Sequence, residues 1–66
     1  MKHFIILDDY HDSEDKVSLP IEDITRIFAT GNRTEVYYGE ETYIEVSNSV
    51  QEVVKRINEV MNNSNK

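Results

Sequence analysis

The sequence contains no cysteine, so neither a disulfide framework nor a thiolate metal site can stabilise the fold. Its 66 residues give room for one domain with one small core. A core of this size is only marginally stable, and self-association is the remaining way to bury more surface. We therefore expect a single domain with a tendency to form a homodimer. The lack of cysteine fits a reducing compartment.

Long apolar runs are also missing. The N-terminal stretch offers only the four residues Phe4 to Leu7, which is well short of a signal-peptide core or a membrane span. We therefore expect a cytoplasmic protein that makes no membrane contact.

Basic residues are scarce. Seven lysines and arginines stand against 13 acidic residues, which gives a formal net charge of −6. A surface with this net negative charge repels polyanions and attracts basic partners. Direct nucleic-acid binding is therefore disfavoured, and a protein partner with a basic surface is the better expectation.

No catalytic signature is present. There is no thiol, and the serines fit loops and helix caps better than a nucleophile with an adjacent base. Glu35 and Glu45 could form an acid and base pair, but a chain this short hardly has room for the partly dry pocket that such chemistry needs. Gly31 and Gly39 are isolated turn glycines and do not form a phosphate cradle. We predict that the protein is not an enzyme and has no cofactor.

The stretch from Asp8 to Asp15 is rich in carboxylates, the ligands that calcium and magnesium prefer. It lacks the turn glycine and the closing glutamate of an EF-hand. His11 has only His3 as a possible histidine companion for a transition-metal site. The stretch is therefore interpreted as a solvated loop, and no metal site is predicted.

Two alternating segments, Thr34 to Tyr38 and Thr42 to Val46, predict a β-hairpin. A two-residue turn at Gly39 would mix polar and apolar side chains on both faces, whereas pairing Tyr38 with Thr42 gives one coherent apolar face. We predict the second register. It places an apolar set on one face: Thr34, Val36, Tyr38, Thr42, Ile44 and Val46. The polar set on the other face is Glu35, Tyr37, Tyr43 and Glu45.

A capped amphipathic helix is predicted from about Ser49 to Asn62. Ser49 and Glu52 have the spacing of a reciprocal capping box, and Glu52 lies one helical turn before Arg56. Apolar residues follow at helical spacing: Val50, Val53, Val54, Ile57, Val60 and Met61. This stripe should cover the apolar face of the hairpin. Residues 1–62 then form the domain, and residues 63–66 a frayed polar tail.

The N-terminal half predicts further strands. Lys2 to Leu7 suits a strand covered on both faces, or one lying against the helix and a partner. Lys16 to Leu19 is a short strand stopped by Pro20, followed by one helical turn from Ile21. Ile24 to Ala29 is compatible with a helix, but its β-branched content favours a strand, with a turn at Gly31 and Asn32.

The predicted fold class is therefore α+β: a small antiparallel sheet of three or four strands with one C-terminal helix packed on one face. The order of these segments, from Leu19-Pro20-Ile21-Glu22-Asp23-Ile24 to Ser49-Val50-Gln51-Glu52-Val53-Val54, resembles small bacterial FlbD-type proteins and the first half of LytTR-type domains. The resemblance implies this architecture and a prokaryotic or phage accessory protein. LytTR domains bind DNA through basic loops, and this chain is acidic, so only the architecture is carried over.

The candidate partner-binding residues are the polar hairpin face and the acidic loop: Glu35, Tyr37, Tyr43, Glu45, Tyr10, Asp12, Glu14 and Asp15. Tyrosine is enriched in binding hot spots, and carboxylates around it select a basic partner. Glu35 opposite Glu45 is unfavourable, and Arg26, Arg33 or the partner could relieve it. The simpler alternative is an ordinary solvated sheet face whose aromatic residues suit strands.

Three functions are compatible with these residues. The first is a non-enzymatic protein-binding or regulatory module. The second is a DNA mimic, in which carboxylates such as Asp12, Glu14 and Asp15 occupy the cleft of a nucleic-acid-binding protein. The third, less expected, is DNA binding through the scattered cations Arg26, Arg33, Lys55 and Arg56.

Overall fold

The computed structural model describes residues 2–12 and 14–64 of the chain. Two antiparallel sheets, one of two strands and one of three, are followed by a helix. The strands are β1 (Phe4–Asp8), β2 (Lys16–Pro20), β3 (Ile24–Thr30), β4 (Arg33–Tyr38) and β5 (Thr42–Val46), and the helix is α1 (Val50–Ser64). The predicted α+β class with a C-terminal helix is confirmed.

The β4–β5 hairpin has the predicted register. Tyr38 pairs with Thr42 and Val36 pairs with Ile44, so alternate side chains share a face as expected. Thr34, Val36 and Val46 are buried. The intervening loop contains Gly39 with a φ of 75°, a backbone conformation that glycine adopts without steric cost. Burial of one coherent apolar face therefore prevails over the two-residue turn.

Between Pro20 and Thr30 the structure resolves the choice between helix and strand. Residues Ile21–Asp23 form a single 3-10 turn, and Ile24–Thr30 form β3, which pairs with β4. A two-residue turn at Gly31 and Asn32 joins the two strands, with Gly31 at a φ of 59° in its first position. Glycine in that position is typical of a type II′ hairpin turn, whose twist matches that of the strands.

The prediction of a single sheet with three or four strands is wrong in its arrangement. β2 does not pair with the strands that follow it; it pairs with β1 and forms a separate two-stranded sheet. Pro20 and the 3-10 turn redirect the chain between β2 and β3, so the two strands enter different sheets. Of the two alternatives for β1, cover on both faces is wrong, because Phe4 and Ile6 are 54% and 58% exposed. The other is confirmed, since β1 lies against α1 and pairs with β2.

The two sheets meet where β1 runs past the end of β5. The Ser47 N–H donates to the Asp8 carbonyl at 2.9 Å. Asn48 reinforces this junction: its Oδ1 accepts from the Asp8 N–H at 2.8 Å, and its Nδ2 donates to the Asp8 carboxylate at 3.3 Å. Lys16 forms an ion pair with the same carboxylate and lowers the pKa of Asp8. Asp8 and Asn48 therefore hold the sheets together.

Helix α1 begins as predicted and extends further than predicted. Ser49 Oγ accepts from the Glu52 N–H at 3.1 Å, and the Glu52 carboxylate pairs with Arg56 at 3.2 Å. The helix continues through Ser64, so the first half of the predicted tail is helical, and residues 65 and 66 lie outside the described residues. None of the helices in the described part of the chain has the length and apolarity required to cross a bilayer.

The core lies between the two sheets and the helix. Six buried side chains form it: Ile5, Leu7, Leu19, Val36, Val46 and Val53. The helix lies mainly against β1 and β3, so the cover over Val36 and Val46 comes from β1 and β2 as well as from Val53. Val54, which the sequence predicts in the apolar stripe, is 41% exposed. The helix fills a gap between the sheets and does not cover the hairpin alone.

Candidate functional site

The outer face of the three-stranded sheet is the side turned away from the core. The β4–β5 register places Tyr37 opposite Tyr43 and Glu35 opposite Glu45, as predicted. On the other side of β4, Arg26 pairs with Tyr37 and Phe28 pairs with Glu35. The outer face is therefore wider than the sequence predicted. It consists of Arg26, Phe28, Arg33, Glu35, Tyr37, Tyr43 and Glu45.

Three rings cross this face in a row, one from each strand. The Phe28 and Tyr37 ring centroids lie 5.7 Å apart at 88°, and those of Tyr37 and Tyr43 lie 4.9 Å apart at 30°. Such pairs are worth about 0.5–1.5 kcal/mol beyond area burial. Phe28 and Tyr43 remain 43% and 47% exposed. This aromatic row (Phe28, Tyr37, Tyr43) is a preorganised apolar surface that no other element covers in the described part of the chain.

Arg26 lies over the aromatic row. Its guanidinium carbon is 4.8 Å from the Tyr37 centroid and 5.4 Å from the Phe28 centroid. No carboxylate pairs with Arg26 among the described residues. A guanidinium over ring faces is attracted by their negative quadrupole. The row therefore already holds one cation within the chain, and no cation of the described residues lies over the neighbouring Tyr43 ring.

The unfavourable pair of Glu35 and Glu45 is relieved from within the chain. Arg33 forms an ion pair with Glu45, so of the two candidate arginines, Arg26 and Arg33, it is Arg33 that relieves the pair. The Arg33 Nε is buried and has no well-aligned hydrogen bond within the described residues. His11 Nε2 lies 2.7 Å from the other Glu45 oxygen. Glu45 is only 18% exposed at its side chain. Among the described residues, Glu35 has only a long contact from the Tyr37 hydroxyl, at 3.5 Å. Glu35 is thus the carboxylate of the face that no cation of the described part of the chain engages.

The start of the acidic loop joins the margin of the outer face. The Tyr10 N–H donates to the Glu45 carbonyl at 3.1 Å, and the Arg33 guanidinium lies 5.9 Å from the Tyr10 ring centroid. The Tyr10 and His11 rings contact edge-on at 5.3 Å. Tyr10 is therefore close to Glu45, as the sequence suggested.

The rest of the acidic loop is not brought into the outer face. Asp12 folds the loop on itself, because its Oδ1 accepts from the Glu14 N–H at 3.1 Å and its carbonyl from the Asp15 N–H at 2.9 Å. The side chains of Asp12, Glu14 and Asp15 are exposed, and no ion pair engages them in the described ranges. Among residues 2–12 and 14–64, no three acidic or histidine side chains converge as metal ligands.

The scattered cations do not assemble into one patch. Arg26 lies on the aromatic row and Arg33 pairs with Glu45. On the helix, Arg56 pairs with Glu52 and donates to the Ile6 carbonyl at 2.6 Å, while Lys55 is exposed. Three of the four cations are thus engaged within the chain. The structure offers no shared phosphate-binding geometry for them.

Two residues of the site, Phe28 and His11, were missed from the sequence. Phe28 belongs to a segment whose sequence suits both a helix and a strand, so the sequence does not determine which face Phe28 occupies. Extending the register across the turn at Gly31 and Asn32 would have placed it opposite Glu35. The contact between His11 and Glu45 joins distant parts of the chain, and no sequence signal indicates it.

Comparisons with known proteins add no relative to this description. A scan against protein-family models finds no match for the chain, and searches of curated proteins and of solved structures find none either. The functional argument therefore rests on the outer face itself.

Proposed function

We propose that this chain is a non-enzymatic protein-binding module, a prokaryotic or phage accessory protein of the cytoplasm, that docks through its outer face. One observation carries the proposal: the aromatic row is exposed, ordered by ring contacts and spans all three strands. Aromatic anchors of this kind supply large rigid contact area at low entropic cost and dominate protein interfaces. A purely solvated face does not need three adjacent rings.

The partner best suited to this face carries a lysine or arginine beside an apolar surface. Arg26 shows that the row accepts a guanidinium, and the neighbouring Tyr43 ring is exposed. Glu35 supplies a carboxylate with no cation partner in the described part of the chain. The net charge of −6 and the exposed loop carboxylates would attract a basic protein over a longer range.

A capture experiment tests this function. The tagged chain is exposed to a lysate of its source organism, and bound proteins are quantified by mass spectrometry for the wild type, Tyr43→Ala and Phe4→Ala. Phe4 is the matched control because it is an aromatic residue with 54% exposure on the other sheet. We expect a specific partner whose recovery falls with Tyr43→Ala and not with Phe4→Ala. For the purified pair, the expected loss of affinity is about 30-fold, the equivalent of a 2 kcal/mol hot spot.

Equal recovery with all three proteins would show that the outer face is an ordinary solvated surface. Recovery that falls only with Phe4→Ala would move the binding site to the two-stranded sheet. Either result rejects the proposed docking through the outer face.

A second candidate function is the DNA mimic, and one observation favours it. Asp12, Glu14 and Asp15 are exposed, and no cation of the described residues neutralises them. If these carboxylates replace phosphates, binding should weaken steeply with salt and disappear when all three are changed to lysine. If the aromatic row carries binding, the Tyr43→Ala effect should persist at high salt. The salt series therefore separates the two functions.

A further inference from the structure

Strand β3 forms an open edge of the three-stranded sheet, because among residues 2–12 and 14–64 it pairs only with β4. The two-residue turn makes Thr30 and Arg33 the closing hydrogen-bonded pair, and bonding alternates from there along an antiparallel ladder. The N–H and C=O groups of Ile27 and Ala29 therefore point away from β4. Within the described part of the chain, no hydrogen bond joins these groups to another element. β3 thus presents a row of unpaired backbone groups.

The edge of β1 that faces away from β2 is partly covered by other elements. The Ile6 carbonyl accepts from Arg56 at 2.6 Å, and the Asp8 N–H donates to Asn48 at 2.8 Å. The C-terminal part of the outer edge of β5 is covered, since the Glu45 carbonyl accepts from the Tyr10 N–H. At both edges the chain itself supplies some of the missing partners, whereas none is seen at Ile27 and Ala29 in the described part of the chain.

The remaining edge, that of β2, carries the usual protective residues. β2 starts with Lys16 and ends with Pro20, which has no N–H to offer a new strand. β3 has neither lysine nor proline, and its register irregularity affects only the start, between Ile24 and Arg26. From Arg26 to Thr30 its register with β4 is regular, and this part has the properties of an edge that receives another strand.

There is space on both sides of this edge. On the inner side, a groove of about 650 Å³ lies between β3 and the start of α1, and Ile27, Ala29, Val50 and Gln51 line it. On the outer side, Phe28 is 43% exposed. The inner side of the edge is thus an open groove, and the outer side is exposed at Phe28.

We propose that β3 pairs in antiparallel orientation with β3 of a second copy of this chain, about a two-fold axis. The pairing would join the two three-stranded sheets into one continuous sheet and align the two aromatic rows on the same surface. This assembly is independent of the proposed function, because a monomer could still dock through its outer face and a dimer could form without a partner protein.

The side chains of β3 are self-complementary in this arrangement, and this identifies a second copy as the occupant. With Ile27 opposite the partner subunit's Ile27, Arg26 lies opposite the partner subunit's Phe28, and the reciprocal contact forms by symmetry. Arg26 already makes this contact with its own Phe28, at 5.4 Å. No like charges lie directly opposite each other, and a small core gains buried surface.

Sedimentation velocity over a dilution series tests the proposal, using the wild type, Ala29→Pro, Ala29→Lys and the control Thr42→Lys. Ala29 is exposed, and its N–H is not needed for pairing with β4, so both changes block the edge while leaving the hairpin bonds in place. Thr42 is an exposed strand residue two strands away and receives the same charge change as Ala29→Lys.

We expect the wild type and Thr42→Lys to form a species of twice the 7.7 kDa chain mass. Both Ala29 variants should raise the dissociation constant of the dimer by about tenfold or more. Ala29→Pro removes a backbone N–H donor from the pairing edge of each subunit, and Ala29→Lys places a charge on that edge in each subunit. Amide exchange of the wild type gives a second readout that does not depend on variants. The amides of Ile27 and Ala29 should exchange slowly in the dimer and rapidly after dilution.

Three results would overturn the proposal. The first is a wild type that stays monomeric at every concentration. The second is a dimer that the Ala29 variants weaken no more than Thr42→Lys does. The third is a dimer in which the Ile27 and Ala29 amides exchange as fast as in the monomer.

Discussion

Replacing Asn48 with alanine should loosen the junction between the two sheets. Asn48 is 9% exposed, and its side chain accepts from the Asp8 N–H at 2.8 Å and donates to the Asp8 carboxylate at 3.3 Å. The shorter bond contributes about 1 kcal/mol net, and leaving a fully buried N–H without a partner costs about 1–3 kcal/mol, with the lower part of that range applying to this partly buried one. The longer bond, to a carboxylate that is 28% exposed, adds little. The Asn48→Ala variant should therefore lose about 2 kcal/mol of unfolding free energy.

Urea unfolding followed by circular dichroism measures this loss. In a thermal melt of a domain of this size, a loss of about 2 kcal/mol corresponds to a fall in Tm of about 10–15 °C. All proteins must be compared at one concentration, because dimer formation would itself raise stability. Asn58→Ala is the control: Asn58 is exposed on α1, and its change should stay within about 0.5 kcal/mol. An equally small loss with Asn48→Ala would refute the role of Asn48 at the junction.

Three further predictions concern stability. The hydrogen bonds from the His3 side chain and backbone lower the pKa of Glu22 from 4.5 to about 2. The stabilisation that they give the folded state is therefore present above pH 4.5 and lost as the pH falls toward 2. In a series of urea midpoints measured at different pH values, Glu22→Gln should remove that part of the acid transition. Val53→Ala should cost about 2–3 kcal/mol, because Val53 is fully buried, whereas Val54→Ala should cost less than half as much in the same titration. Gly31→Ala should lower the free energy of unfolding by about 1 kcal/mol, because alanine is strained at a φ of 59°; an unchanged midpoint would contradict that turn geometry.

The register of the β4–β5 hairpin could be predicted from the sequence because it depends only on whether the loop between the strands has an odd or an even number of residues. Both strands alternate, and a slip of one residue would move Val36 or Ile44 to the wrong face. The same parity placed Tyr37 opposite Tyr43 and Glu35 opposite Glu45. The centre of the candidate site was therefore accessible without coordinates.

The division into two sheets could not be predicted in the same way. The sequence marks Pro20 as the end of a strand but does not say that β2 turns back to β1. Asparagine is common in turns, so the sequence gives Asn48 no special role. The contact between Asn48 and Asp8 becomes visible only in the folded chain. Charge alone groups the acidic loop with the outer face. Of the loop residues that the structure describes, Tyr10 and His11 reach that face, whereas a backbone bond joins Asp15 to Asp12 within the loop.

Site-specific photo-crosslinking in the source organism tests the central claim, that the outer face binds a partner protein, most directly. A photoreactive phenylalanine analogue replaces Tyr43 in one protein and Phe4 in the other, both exposed aromatic positions on different sheets. Tyr43 lies two strands from the β3 edge, so a homodimer at that edge does not explain an adduct with another protein. The account predicts an adduct with one different protein at position 43 and none at position 4. No adduct at position 43, or the same adduct at both positions, would contradict it.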